Sequence, residues 1–300
     1  MGGPNGILLV DKPGGITSHD VVARARRALD TRKIGHAGTL DPMATGLLIL
    51  GVGSATRLLT YIVGLDKDYS ATIRLGVSTD SDDADGEVTG RAEASAVAAL
   101  SREQLDAAMA QLTGRISQVP SRVSAIKVNG RRAYDLVREG VEVDLAAREV
   151  TVSSFLLRAA RPADEGCLDL DVAVACSSGT YVRAIARDLG AALGVGAHLT
   201  SLRRTRIGEF AVEDAVAVDA IGAEGLMAPA QAALRVLPEA LADPDQARAL
   251  RQGKRVADFG GAFSGPRAAA IAPDGALIGV IERRGAEVKS IMNMPEEPHP

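Results

Sequence analysis

The chain has 300 residues, 46% of them hydrophobic and 24% charged, with 34 Lys and Arg against 38 Asp and Glu for a net charge of −4. That balance supports a sizeable core, excludes a disordered chain and, at this length, suggests two domains. The longest apolar run, residues 47–52 interrupted by Gly51, is far short of the ~20 residues of a membrane helix. The first six residues fit neither a signal peptide nor a myristoylation site, so a cytoplasmic protein with no membrane contact is expected.

Residues 7–10 form a short apolar strand stopped by Asp11-Lys12-Pro13-Gly14-Gly15, which is turn chemistry. Thr17 or Ser18 then caps a helix to about Leu29, with Val21, Val22, Ala25 and Leu29 on its inner face. A loop covers 35–46, a buried strand 47–50, and a helix 54–62. Residues 68–76 alternate, with Tyr69, Ala71, Ile73 and Leu75 on one face and Ser70, Thr72 and Arg74 on the other. An acidic loop follows, and Ser101 with Gln104 makes a capping box for a helix that ends before Gly114.

Residues 123–128 read as a strand closed by Asn129-Gly130, leading into a basic helix that carries Tyr134 and stops at Gly140. Strands follow at 148–158 and 167–176, the second with Leu168, Leu170, Val172, Val174 and Cys176 on one face. Cys167 and Cys176, the only cysteines, fall on opposite faces roughly 30 Å apart, and no bridge is expected. Ser177-Ser178-Gly179-Thr180 turns into a helix ending at Gly190, and 198–210 is a further strand. Beyond an Ala-rich, weakly patterned stretch at 211–233, a helix at 245–252 and a hairpin turned by Pro273-Asp274-Gly275 make a small C-terminal unit. This mixture of strands and helices is α+β. The expected domains are residues 1–232 and 233–294, with 295–300 as a disordered tail.

Charge is segregated along this order. Residues 115–140 carry six Lys and Arg against Asp135 and Glu139, and residues 183–206 five Arg against Asp188. Residues 80–104 carry seven acids against Arg91 and Arg102. A basic face that meets phosphate is one reading; ordinary solvated surface is the other. With 3% aromatic residues and no Trp, modules that stack successive single-stranded bases are disfavoured.

Gly51-Val52-Gly53-Ser54-Ala55-Thr56 imitates a dinucleotide fingerprint, but the third glycine is missing and no parallel βαβ series follows, so a plain strand-to-helix turn is expected. The acidic run from Asp80 to Gly86 fails the calcium-loop ligand set, and His19, His36, His198 and His299 have no metal-ligand spacing. The loop at 35–46 differs. Its glycines permit unusual backbone angles, and Pro42 holds Asp41 extended in an otherwise apolar, rigid stretch. On spacing alone, Asp41 reads as an Asx turn closing that loop.

Gly-His-Ala-Gly-Thr-Leu-Asp-Pro-Met-Ala-Thr-Gly at 35–46 resembles the catalytic loop of the TruB family, the bacterial tRNA pseudouridine synthases that act on the T-loop uridine at position 55. Four further blocks agree in order: residues 9–18, Lys67-Asp68-Tyr69, Arg74-Leu75-Gly76 with Asp83-Ala84-Asp85-Gly86, and residues 176–183 followed by Gly196-Ala197-His198 and Leu202-Arg203-Arg204. The likeness covers about residues 5–210. Ser178 and Arg57 depart from it, each standing where the family has Lys. The resemblance implies a mixed-sheet catalytic core with flanking helices and a central RNA-binding cleft, a small C-terminal PUA-like β domain, and chemistry without metal or cofactor.

By the same resemblance, Asp41 is the essential carboxylate, attacking C1′ of the ribose or removing the C2′ proton. Tyr69 stacks on the base and takes the C5 proton, and Arg183 keeps Asp41 ionised while Asp83 holds Arg183. His36 fills the space left by the flipped base, Tyr181 lies at the substrate, and Leu202 walls the pocket. Arg57, Lys127, Arg131, Arg132, Arg203 and Arg204 are expected phosphate contacts to the T-arm. A monomer with tRNA as its partner and no obligatory protein subunit is expected. A tRNA-folding factor and a guide-dependent synthase subunit are the alternatives.

Overall fold

A computed structural model describes residues 3–121, 127–128, 131–132, 145–259 and 263–296. Its contacts divide the chain into two compact units, residues 1–64 with 206–300 and residues 65–205. The first unit opens with β1 (Gly6–Lys12) and α1 (Ser18–Ala28). Thr17 is the cap: its hydroxyl accepts from the Asp20 amide at 3.1 Å, and Asp20 accepts from the Thr17 amide at 2.8 Å. The reciprocal bonds satisfy two amides that a helix start leaves without partners. Val21, Val22, Ala25 and Leu29 pack against Leu8, Val10, Leu48 and Leu50.

A strand the sequence hid within the loop, β2 (Ile34–Ala37), precedes β3 (Thr45–Val52). β3 is antiparallel to both β1 and β2, so that Leu8 and His36 each lie opposite Leu50. Its apolar residues are buried throughout, which is why they form a run instead of an alternation. The expected helix at 54–62 is a 3-10 turn over Gly53–Leu58 followed by α2 (Leu59–Ile62). Gly51 lies at this junction: a Cβ there would stand 2.9 Å from Thr56 Cα. The glycine pattern is strand-to-helix packing.

In the second unit, β4 (Lys67–Leu75) turns Lys67, Tyr69, Ala71, Ile73 and Leu75 inward. The acidic stretch runs between the strands of a hairpin, β5 (Val77–Thr79) and β6 (Val88–Arg91). α3 (Ala94–Ala98) and α4 (Arg102–Gln111) follow, the latter with the Ser101–Gln104 capping box. After β7 (Gly114–Gln118), β8 (Lys127–Val128) pairs antiparallel with β9 (Arg131–Arg132). Arg131 and Arg132 therefore lie in a strand and not in the expected helix; Asn-Gly between two strands is the pattern of a two-residue hairpin. The rest of that expected helix, with Tyr134, lies outside the described residues.

β10 (Arg148–Pro162) and β11 (Leu168–Cys176) are a long antiparallel pair, and irregularities after Val152 and Leu157 let β10 follow β11 beyond the expected end at 158. α5 (Val182–Ala192) and β12 (Ala197–Ile207) complete the unit, whose sheet runs β12-β4-β11-β10-β7. β12 stops short of the expected 210 because Gly208, at φ 54°, turns the chain. Cys167 and Cys176 are free and buried, and burial pushes the Cys176 thiol up to about 11.

The chain returns to the first unit through β13 (Phe210–Ala211), paired with the end of β12, and β14 (Val216–Ala217), parallel to β1. The Ala-rich stretch is thus structured by pairing, ending in α6 (Pro229–Leu234). The C-terminal part comprises β15 (Glu239–Leu241), α7 (Pro244–Arg251), β16 (Arg255–Ala257), β17 (Arg267–Ile271), β18 (Leu277–Arg284) and β19 (Glu287–Asn293). Its sheet runs β15-β17-β18-β19-β16, over a core in which Ala268, Ala270 and Ala272 meet Leu250, Ile278 and Ile281.

Candidate active site

Asp41 lies half-buried in the loop between β2 and β3, between the buried Leu40 and the nearby Ala44. Gly38 and Gly46, at φ 84° and 99°, supply the left-handed positions that glycine takes without strain. Residues 12–18 clamp the loop. Lys12, fully buried at the end of β1, donates to Pro42 O at 3.3 Å, Ile16 O at 2.7 Å and Pro13 O at 3.0 Å. The Gly15 amide donates to the same Pro42 carbonyl at 2.9 Å, and the Leu40 amide donates to Ser18 Oγ at 2.9 Å. Both neighbours of Asp41 are therefore tied to one preceding segment. A buried ammonium is costly without acceptors for its three donors, so Lys12 and these carbonyls fix one another. In the sequence, Lys12 falls within a turn pattern. The signal missed was that period two puts Lys12 on one strand face with Leu8 and Val10.

His36, on β2, is half-buried and meets the ring of His19 edge-on at 5.6 Å between centroids. Arg57 is exposed at the end of the 3-10 turn and donates to Asn293 O.

The second unit holds the other candidates. Arg183 stands in the first turn of α5, where a cation opposes the helix dipole by roughly 0.3–1 kcal/mol. Its guanidinium lies 3.2 Å from Asp83 Oδ2 and donates to Ser81 O at 2.9 Å, and both side chains of the ion pair are buried. The second oxygen of Asp83 accepts from the Ser81 hydroxyl at 2.5 Å and the Asp85 amide at 3.2 Å. The acidic hairpin loop is thus shaped around one buried arginine.

Tyr181 caps the same helix, and its backbone is held on both sides by the Gln118 side chain, which accepts from the Tyr181 amide at 2.8 Å and donates to Tyr181 O at 3.1 Å. Tyr69 is buried on β4 opposite Val174, and Leu202 is buried on β12. His198, buried, is held by Nδ1 at 2.8 Å from Val77 O.

The cationic candidates divide. Lys127, Arg131 and Arg132 lie on the paired strands β8 and β9, and Arg203 is half-buried on β12. Arg204 is a correction: it is 1% exposed, and a guanidinium enclosed in the fold does not offer itself to an RNA phosphate. It lowers the charge tolerance of its neighbour Lys67, whose ammonium is pushed down to about 8 by burial first and Arg204 second. Among the described residues no three His, Cys, Asp or Glu side chains gather as metal ligands, and no helix is long and apolar enough to cross a membrane.

The first unit thus offers a rigidly held carboxylate, and the second a buried arginine–carboxylate pair and a tyrosine on an apolar strand face, each a kind of group that chemistry at a sugar–base bond can use. Residues 26–182 match the family described as TruB family pseudouridylate synthase (N terminal domain). Residues 183–245 match the tRNA pseudouridylate synthase B C-terminal domain, and 241–295 the tRNA pseudouridine synthase II C-terminal domain. A protein of Leifsonia xyli subsp. xyli named tRNA pseudouridine synthase B is 54% identical over 98% of this chain and 97% of its own. One of the same name from Arthrobacter sp. is 51% identical over 96% of each. Among solved structures, an H/ACA RNP bound to a substrate RNA containing 2'-deoxyuridine has a chain that superposes with TM-score 0.71 at 23% identity, over 97% of this chain and 86% of that one. A Cbf5-Nop10-Gar1 complex gives 0.70 at 24% identity, over 98% and 84%. At those identities the structures speak to the fold alone.

Proposed function

Because the chain belongs to the TruB family of pseudouridylate synthases, we propose that it converts uridine to pseudouridine at position 55 in the T-loop of tRNA, exchanging an N–C glycosidic bond for a C–C bond. The observation that carries this reading is the clamped loop of Asp41, set within a chain that matches a relative over 98% of its length.

The target base is flipped from its stack at a cost of a few kcal/mol, and His36 fills the vacated space. As the N1–C1′ bond breaks, Asp41 either attacks C1′, forming an ester that C5 later displaces, or removes the C2′ proton, which it returns when C5 adds to C1′; either route frees the uracil, which turns and rejoins the ribose through C5. Tyr69 stacks on the base and takes the C5 proton while N1 is protonated, so the reaction is an isomerisation with no net loss of atoms. Arg183, steadied by Asp83, is the cation that the family likeness assigns to the same step. Tyr181 and Leu202 bound the substrate pocket.

Arg57, Lys127, Arg131, Arg132 and Arg203 meet phosphates of the T-arm; Arg204 is a structural cation. Residues 1–232 serve as the catalytic domain and 233–294 as a PUA-like RNA-binding domain. Residues 295–296 begin a tail, the rest of which lies outside the described residues. The enzyme works as a cytoplasmic monomer without cofactor or protein subunit.

The test is the purified chain alone with an isolated, unmodified T-arm hairpin, its nucleosides separated after digestion. Pseudouridine at the T-loop position is expected. A hairpin that is bound and released unmodified would overturn the reading in favour of an RNA-folding factor. Product only after adding a guide RNA and partner subunits would overturn it in favour of a guide-dependent enzyme.

A further inference from the structure

Arg187 follows Arg183 by one turn on α5, so both side chains lie on one helix face. Together they grip three consecutive residues. Arg183 takes Ser81 O at 2.9 Å and Asp83 Oδ2 at 3.2 Å; Arg187 takes Asp82 Oδ2, between them, also at 3.2 Å. Asp82 is 7% exposed and sits at φ 63°, a left-handed conformation that strains a non-glycine residue. Its carbonyl accepts from the Leu199 amide at 3.0 Å, so the backbone is held on β12 while the side chain is turned to Arg187. Burial pushes the Asp82 carboxyl up, opposed first by the Ser121 hydroxyl and then by Arg187 and Arg183.

Arg187 also reaches a second segment. Its other branch donates to Val119 O at 2.8 Å, and its Nε donates to Asp188 at 2.9 Å. The residue before Val119 is Gln118, whose side chain brackets the Tyr181 backbone. Residues 118–119 are therefore stitched to α5 at its cap, through Tyr181, and one turn beyond Arg183, through Arg187.

We propose that Arg187 and Asp82 are positioning residues for Arg183: their ion pair holds the strained Ser81-Asp82-Asp83 turn in the one register that presents both oxygen partners to the Arg183 guanidinium. The inference rests on the reading that Arg183 serves pseudouridine formation. A residue misplaced by about 1 Å in an active site costs up to ~100-fold in rate, so the pair is worth holding even where the turn itself is strained.

The experiment is a single-turnover measurement on the T-arm hairpin with Arg187→Gln, Asp82→Asn, Arg183→Ala and the double variant Arg183→Ala/Arg187→Gln. Hairpin affinity and thermal melting are followed on each. Arg187→Gln and Asp82→Asn are each expected to slow the chemical step about 10- to 100-fold, with affinity within about twofold and a cooperative melt well above the assay temperature. Arg187→Gln should add nothing in the Arg183→Ala background, because both changes act through one guanidinium. A purely structural pair would lower the melting point and leave the rate of the folded enzyme intact, which overturns the proposal. A full Arg187→Gln penalty in the Arg183→Ala background overturns it too. If Arg183→Ala itself turns over at the wild-type rate, the underlying reading of Arg183 is what fails.

Discussion

Carboxylates in glycine-rich loops are common; Asp41 differs in that the residues on both sides of it answer to a segment 22 to 30 positions away in sequence. Lys12 is the centre of that arrangement, since its ammonium serves three carbonyls, one of them in the Asp41 loop. Lys12→Met keeps the apolar stem and removes all three bonds. It is expected to cost about 1–3 kcal/mol of stability and to slow the chemical step ~10-fold or more, with hairpin affinity nearly unchanged. Urea melts paired with single-turnover rates check this; an unchanged rate in the folded variant would show that the clamp is not needed. The Arg183–Asp83 pair was legible in the sequence because each residue lies within a recognisable block, the likeness from which Asp41 is also proposed. The roles of Lys12, Asp82 and Arg187 were not, because their partners are mainly backbone carbonyls and carboxylates that only the tertiary fold brings near.

Strands and helices were legible where burial leaves a period. β4 alternates cleanly, the core of β3 is a single apolar run, and α4 announces itself by Ser101 and Gln104. β2 was missed because Ile34-Gly35-His36-Ala37 has little β propensity of its own and is a strand through its pairing with β3. The β5–β6 hairpin was masked by the acids between its strands, and β14 by its alanine-rich surroundings. The cap of α1 does more than begin a helix: Thr17 satisfies the amides, which leaves the next residue, Ser18, buried and bonded to Leu40 beside Asp41. Thr17→Ala is expected to cost about 1 kcal/mol, read in equilibrium unfolding, with a smaller relative effect on rate than Lys12→Met. A loss of rate exceeding that of Lys12→Met would mean that the helix start, and not the lysine, anchors the loop.

For the molecule as a whole, the formal charge of −4 conceals basic stretches at 115–140 and 183–206. If Lys127, Arg131, Arg132 and Arg203 meet phosphate as proposed, RNA affinity falls with salt, and each true contact contributes roughly 0.7–0.9 to the log–log slope. Arg131→Ala with Arg132→Ala is expected to flatten that slope by roughly 1.4–1.8, whereas Arg204→Gln, at a buried position, is expected to lower stability and leave the slope unchanged. Titration of hairpin binding from low to moderate salt separates the two; an unchanged slope in the double variant removes Arg131 and Arg132 from the interface.

Asp41 is the residue on which the whole reading turns. The measurement that tests it most directly is release of tritium from C5-labelled uridine in an unmodified tRNA transcript, comparing the wild type with Asp41→Asn. The substitution is nearly isosteric and leaves the backbone bonds of the loop in place. Release by the wild type, with none above background from a folded, tRNA-binding Asp41→Asn, is the predicted result. Equal release from both proteins, or none from the wild type while it binds tRNA, would contradict it.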